Sequence, residues 1–79
     1  MNDLIDYARE GFDAPDGAAN EYTDGSNAFL AWRIGQWLKK TGGKRPDEVA
    51  SESGYSLRVD GVRIVVSSAG YGEPIVVEA

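Results

Sequence analysis

The chain has 79 residues, a net charge of −5 and a pI of about 4.5, and it contains neither Cys nor His. This length allows one domain over residues 1–79, and an apolar share of 42% predicts a folded chain. The missing Cys excludes disulfides, and the missing His removes the commonest general base and metal ligand. No apolar run is long enough to span a membrane and the N-terminus is acidic, so we expect a cytoplasmic protein without membrane contact.

Charge is sorted along the chain into three blocks. Residues 1–24 carry seven acids and one base, residues 25–46 carry five bases and no acid, and residues 47–79 carry six acids and two bases. Such sorting creates surfaces of opposite potential, which steer charged partners. The pattern favours a binding protein over an enzyme.

The first predicted element is an amphipathic helix from Asn2 to Phe12. Its apolar residues share one helical face, and its acids share nearly the opposite face. Asn2 is the expected N-cap, and Gly11 together with the turn sequence at residues 15–17 is expected to end the helix.

The strongest helix signal runs from about Asn27 to Lys40, with Ser26 or Asp24 as N-cap and two glycines beyond its end. Two apolar stripes cover a wide arc of this helix, which predicts that it packs against two elements at once. Gly35 should allow one of them to approach its backbone closely. The main stripe is Leu30, Ala31, Ile34, Trp37 and Leu38, and the second is Ala28, Trp32 and Gly35.

The segment from Pro46 to Glu52 is predicted to be a short helical turn, because Pro suits the first turn of a helix and acids follow it. From Tyr55 the apolar period changes to two. Asp60-Gly61 suits a type I′ turn, so the flanking residues are predicted to form a hairpin. The expected cross-strand pairs are Val59 with Val62, Leu57 with Ile64, Tyr55 with Val66, and Arg58 with Arg63.

A third strand is predicted from Pro74 to Glu78. The expected fold is therefore α+β, with two main helices and the short helical turn packed on a three-stranded antiparallel β-meander. Residues 1–54 would form the helical part of the domain and residues 55–79 the meander. Glu78 is the expected neighbour of the like-charged pair Arg58 and Arg63.

The acids of the first block form the candidate partner-binding site. The four on the helix cover roughly 15 Å, whereas a DNA strand carries a phosphate about every 3.4 Å. They would imitate a nucleic-acid backbone only if the acids of the following loop lay beside them, and a solvated helix face is the simpler interpretation. The whole set, called here the acidic surface, is Asp3, Asp6, Glu10, Asp13, Asp16, Glu21 and Asp24.

The bases of the second block are an alternative, anion-binding site. The candidates are Arg33, Lys40, Lys44 and Arg45, with Phe29 as a stacking surface on the same helix face. The net charge of the chain repels nucleic acid, so we do not expect direct nucleic-acid binding. The simpler interpretation pairs these cations with acids of this chain or of a partner.

The sequence predicts no catalytic, cofactor-binding or metal-binding residues. A nucleophile would have to be Ser, Thr or Lys, and no Gly-x-Ser-x-Gly elbow occurs. Phosphate-loop, dinucleotide and calcium-loop patterns also fail to fit. We therefore expect a non-enzymatic protein without cofactors.

The first half of the chain contains a patterned set of residues: Ala8, Gly11, Asn20-Glu21-Tyr22 and Ala31-Trp32-Arg33-Ile34-Gly35-Gln36-Trp37. This set resembles the ribosome modulation factor-like family of small bacterial and phage proteins, whose pattern is a helix ending in Gly, an Asn-Pro-Tyr loop and a helix with Trp-x-x-Gly-Trp. Glu21 stands where the family has Pro, Gln36 precedes Trp37, and the acidic charge departs from a basic family. The resemblance implies a helical hairpin and, as an alternative function, a ribosome- or RNA-associated regulator.

By size and charge alone, the chain also resembles phage-encoded inhibitors such as anti-CRISPR proteins. This resemblance implies an inhibitor from a phage or mobile element that acts in the cytoplasm of a bacterial host. Its expected partner is a protein complex that handles nucleic acid, with a CRISPR effector as one candidate. The expected contact is the acidic surface.

Overall fold

A computed structural model describes residues 3–23, 26–52, 55–66 and 75–78 of the chain. The α+β class expected from the sequence is confirmed. Two helices precede four strands: α1 (Leu4–Asp13), α2 (Asn27–Lys40), β1 (Val49–Glu52), β2 (Ser56–Val59), β3 (Val62–Val66) and β4 (Ile75–Glu78).

Side-chain caps set the starts of both helices. Ser26 caps α2, and its Oγ accepts a hydrogen bond of 3.1 Å from the backbone N–H of Phe29. Asp3 is the N-cap of α1, and its own N–H donates to the carboxylate of Asp6 at 3.1 Å, as in a capping box. Asn2, the cap expected from the sequence, lies outside the described residues.

The two helices meet backbone to backbone through a pair of glycines. A Cβ at Gly35 would fall on the carbonyl oxygen of Ala8 and lie 2.8 Å from the backbone nitrogen of Phe12. A Cβ at Gly11 would likewise fall on the carbonyl oxygen of Trp32. The close approach predicted for Gly35 is therefore present, and α1 is the element that makes it.

The other face of α2 packs on the sheet. Leu30 and Ile34 are almost fully buried against Leu57 and Ile64, so the main stripe predicted for this helix does face the core. Trp37, expected in the same core, is only half-buried at its edge. The buried cluster contains Ala8, Leu30, Ala31, Ile34, Leu57, Val59, Ile64 and Val66.

The four strands lie in the order β1-β2-β3-β4, each antiparallel to its neighbour. Positive φ angles of 49° at Asp60 and 83° at Gly61 agree with the type I′ turn predicted between β2 and β3. The predicted pairs fall into register, including Leu57 with Ile64 and Val59 with Val62. β4 matches the third predicted strand, whereas the turn expected before it lies outside the described residues.

The short helical turn predicted from Pro46 to Glu52 is wrong, because this segment supplies strand β1 and makes the sheet four-stranded. The carboxylate of Asp60 accepts hydrogen bonds from the backbone N–H groups of Asp47 and Glu48, at 3.1 and 2.9 Å. In return, the N–H of Asp60 donates to the carbonyl of Glu48 at 2.9 Å. The first turn of a helix would leave the N–H groups of Asp47 and Glu48 without partners, whereas here Asp60 binds them. These bonds begin the pairing of β1 with β2.

The like-charged pair predicted across the hairpin is present, since Arg58 lies opposite Arg63. Arg58 forms an ion pair of 2.9 Å with Glu52 and donates to the carbonyl of Gly61 at 3.1 Å. Glu78 pairs in register with Arg63, as expected. The carboxylate of Glu52 thus offsets part of the repulsion between the two guanidinium groups.

Candidate partner-binding surface

The acidic surface lies along α1 and the loop that follows it. Six of its seven residues are described, and all six are exposed. Asp24 lies outside the described residues. Exposure keeps these carboxylates hydrated and accessible to a partner's cations. The six are Asp3, Asp6, Glu10, Asp13, Asp16 and Glu21.

Hydrogen bonds hold the loop against both helices. The Tyr22 hydroxyl donates to the carboxylate of Glu10 at 2.6 Å, and the Tyr22 ring packs edge-on against Tyr7 with 4.9 Å between ring centroids. Asn20 donates through its side-chain nitrogen to the carbonyl of Phe29 at 3.0 Å and accepts from the N–H of Tyr22 at 3.1 Å. The loop acid Glu21 lies in the chain between these two anchors, and it is exposed.

The hydrogen bond to Glu10 changes the acidity of Tyr22. The Glu10 carboxylate accepts a hydrogen bond from the phenolic O–H and disfavours a second negative charge, which raises the pKa of Tyr22 from 10.0 to about 12. The sequence marked Asn20 and Tyr22 only through the family resemblance. Their anchoring of this loop is a role that sequence reasoning missed.

Among the described acids of this surface, Asp13 is held by a cation of the same chain. Two nitrogens of Arg45 donate to the two carboxylate oxygens of Asp13, at 3.1 and 2.8 Å. This bidentate bond lowers the pKa of Asp13 and raises that of Arg45. Asp13 is therefore the acid least available to an external partner, although its side chain is half exposed.

The alternative site, formed by the cations of residues 25–46, is engaged within the chain. Lys44 forms an ion pair of 3.0 Å with Asp47, which raises the pKa of Lys44 and lowers that of Asp47. Arg45 is held by Asp13, and Arg33 and Lys40 also have interactions of their own. Intramolecular pairing, the simpler interpretation of these cations, therefore describes Lys44 and Arg45.

Two side chains of α2 close the C-terminal end of α1. Gln36 donates through Nε2 to the carbonyls of Gly11 and Ala14, at 2.6 and 3.0 Å. Lys39 Nζ donates to the same Ala14 carbonyl at 2.7 Å. A cation at this end also suits the negative pole of the helix. In the sequence, Lys39 is one of the five bases of residues 25–46, and its charge alone does not predict this contact.

The described part of the chain holds no group of three His, Cys, Asp or Glu side chains placed to bind a metal ion. Neither α1 nor α2 has the length and apolarity that a bilayer crossing requires. The chemistry that the acidic surface itself offers is charge attraction and hydrogen-bond acceptance by exposed carboxylates.

Comparison of the chain with protein-family models, with curated proteins and with solved structures finds no match in any of the three.

Proposed function

We propose that this chain is a non-enzymatic inhibitor whose acidic surface binds the basic, nucleic-acid-contacting groups of a protein complex. The observation that carries the proposal is that the six described acids of the acidic surface are all exposed, on α1 and its flanking residues, while Lys44 and Arg45 are engaged in ion pairs. The acidic surface is therefore exposed, while two of the five cations of residues 25–46, Lys44 and Arg45, are compensated by Asp47 and Asp13.

The arrangement of the loop supports a mimic of a nucleic-acid backbone. The acids of α1 alone are spaced too widely to follow phosphates about 3.4 Å apart. The bond between Tyr22 and Glu10 holds the loop against α1, and the next residue toward the N-terminus, Glu21, is an exposed acid of the same loop. A Lys/Arg groove that normally holds a guide or target strand is a surface of matching chemistry.

Within this proposal, the partner class is a nucleic-acid-handling complex of a bacterial host, with CRISPR effectors as the first candidates. The chain would then be an anti-CRISPR-like protein of a phage or mobile element. The alternative is a ribosome-associated regulator that binds RNA through Arg33, Lys40, Lys44 and Arg45.

Charge reversal in the loop gives the sharpest test. Asp6 supports the cap of α1 and Glu10 holds Tyr22, so reversing either also disturbs the fold. Asp16 and Glu21 are exposed, which makes the double variant Asp16→Lys/Glu21→Lys the better choice. Glu48→Lys is the matched control, because this exposed acid lies before β1 and outside the acidic surface.

The assay is salt-dependent capture of purified CRISPR effector complexes and of ribosomes, with inhibition of effector cleavage as a second readout. We expect the double variant to slow association with the effector about tenfold or more and to flatten its salt dependence, while Glu48→Lys binds like the parent. Unchanged inhibition by the double variant would contradict the proposal. Ribosome or RNA binding that is lost on replacing Arg33 and Lys40 would establish the alternative.

A further inference from the structure

An open cleft of about 390 Å³ lies between the first turn of α1 and the start of β1, outside the acidic surface apart from Asp3. Its walls combine three half-buried aliphatic side chains with three exposed carboxylates. The described residues that line it include no cation; they are Asp3, Leu4, Ile5, Asp47, Glu48 and Val49.

The cleft adjoins the outer edge of β1, which is an edge of the sheet formed by the described strands. β1 is the first strand in the sheet order, and Ala50 and Ser51 are exposed on it. The N–H of Asp60 donates to the carbonyl of Glu48, so the backbone of Glu48 is directed toward the β2 side. By the alternation of an antiparallel ladder, the N–H and C=O groups of Val49 and Ser51 then point away from β2. Such groups are a template for a further strand.

The charges at the cleft select the occupant. Asp47 is already engaged by Lys44 at 3.0 Å and by Arg9 at 3.8 Å. The exposed carboxylates of Asp3 and Glu48 remain at the rim, and Asp3, as N-cap, also offsets the positive end of α1. The aliphatic wall suits the methylene stem of a Lys or Arg side chain whose charged head reaches these two acids.

We propose that the cleft and the outer edge of β1 together bind an extended, basic segment of a partner protein by strand addition. The backbone of that segment pairs with Val49 and Ser51, and one of its Lys or Arg side chains enters the cleft. The pairing is short, because two residues of β1 direct their backbone groups outward. The Lys or Arg side chain of the partner that enters the cleft therefore supplies the selectivity for a basic segment. This site shares Asp3 with the acidic surface, but it does not depend on the function proposed for that surface.

The test is an amide NMR titration of the full chain with a short synthetic peptide of alternating lysine and valine. Two comparison peptides carry glutamate in place of lysine, or N-methyl groups on the amides of one edge. We expect the first peptide to shift the amides of Val49 and Ser51, and both comparison peptides to bind about tenfold more weakly or not at all.

Glu48→Lys and Glu21→Lys form a matched pair of variants, since both reverse an exposed glutamate outside a helix. We expect Glu48→Lys to weaken the basic peptide about tenfold, and Glu21→Lys to change its affinity less than about threefold because screening limits distant charges. Ser51→Pro, which removes one outward N–H at an edge position, is a second variant with the same expected loss. Amide dispersion of the free variants verifies their folding.

Four results would overturn the proposal. Equal weakening by Glu48→Lys and Glu21→Lys would mean diffuse charge attraction. Equal binding of the N-methylated peptide would exclude strand addition, and equal binding of the glutamate peptide would exclude charge selection. Concentration-dependent shifts at Val49 and Ser51 without peptide would mean that a second copy of the chain occupies the edge. Unchanged inhibition by Asp16→Lys/Glu21→Lys, with intact binding of the basic peptide, would contradict only the function proposed for the acidic surface.

Discussion

Gly35→Ala tests the backbone contact between α1 and α2, because local and tertiary effects predict opposite signs. In a helix, replacing Gly with Ala stabilises by about 1 kcal/mol through propensity alone. At this position the new Cβ would fall on the carbonyl oxygen of Ala8 and lie 2.8 Å from the backbone nitrogen of Phe12. Backbone atoms cannot rotate away as a flexible side chain can, so the helices must separate.

The expected magnitude follows from these two terms. Overpacking costs up to about 3 kcal/mol, and the propensity gain of about 1 kcal/mol offsets part of it. The net loss is roughly 2 kcal/mol, against a total stability of roughly 4–12 kcal/mol for a domain of this size. Such a loss lowers the midpoint of thermal unfolding by roughly 8–16 °C.

Thermal and denaturant unfolding followed by circular dichroism measure this loss. Gly42→Ala is the control, because its φ of 77° penalises Ala but no atom lies within 4 Å of the new Cβ. The control should lower stability without shifting the amide resonances of α1, whereas Gly35→Ala should shift them. A Gly35→Ala variant as stable as the parent, or more stable, would refute the backbone contact.

Three further outcomes are expected. Ile34→Ala, at a position with 0% exposure, should cost about 2–5 kcal/mol in unfolding experiments, and an equal cost for half-buried Phe29→Ala would contradict the observed helix rotation. Gly61→Val should destabilise the hairpin, because the φ of 83° at this position is unfavourable for a β-branched residue. If the NMR cross-strand contacts between β2 and β3 were unchanged in this variant, the type I′ turn would be contradicted. The pKa of Tyr22 is raised in the folded chain, so the contribution of this group to stability is present below pH 10 and is lost as the pH rises toward 12. Glu10→Gln should lower that pKa in an NMR titration followed at the ring carbons of Tyr22. An unchanged pKa would mean that the hydrogen bond to Glu10 does not cause the shift.

The helices and the hairpin could be predicted because their signals are local. Ser26 lies immediately before α2, and Asp60-Gly61 carries the positive φ angles of its turn within two adjacent residues. Apolar spacing placed Ile34 toward the sheet and Gly35 toward a second element. In each case the deciding interaction lies within a few residues of the position it determines.

Strand β1 could not be predicted in the same way, because the atoms that favour it come from a distant turn. Asp47 and Glu48 follow a proline and look like a first helical turn, yet the carboxylate of Asp60 binds their N–H groups from twelve and thirteen residues away. The pairing of Asp13 with Arg45 spans 32 residues and was likewise not predictable residue by residue. For the candidate site, the sequence could therefore identify the charged residues but not which of them are already paired.

The capping of α1 by Gln36 and Lys39 has a consequence for the order of folding. The last carbonyls of α1 accept hydrogen bonds from side chains 22 to 25 residues further along the chain. The backbone contact at Gly11 likewise forms only when the α2 backbone lies beside it. A helix of ten residues is marginal in water on its own. The N-terminal segment is therefore expected to stay coil as an isolated peptide or early nascent chain and to become helical only when α2 forms. In native-state hydrogen exchange, the amides of α1 and α2 should open together as one cooperative unit.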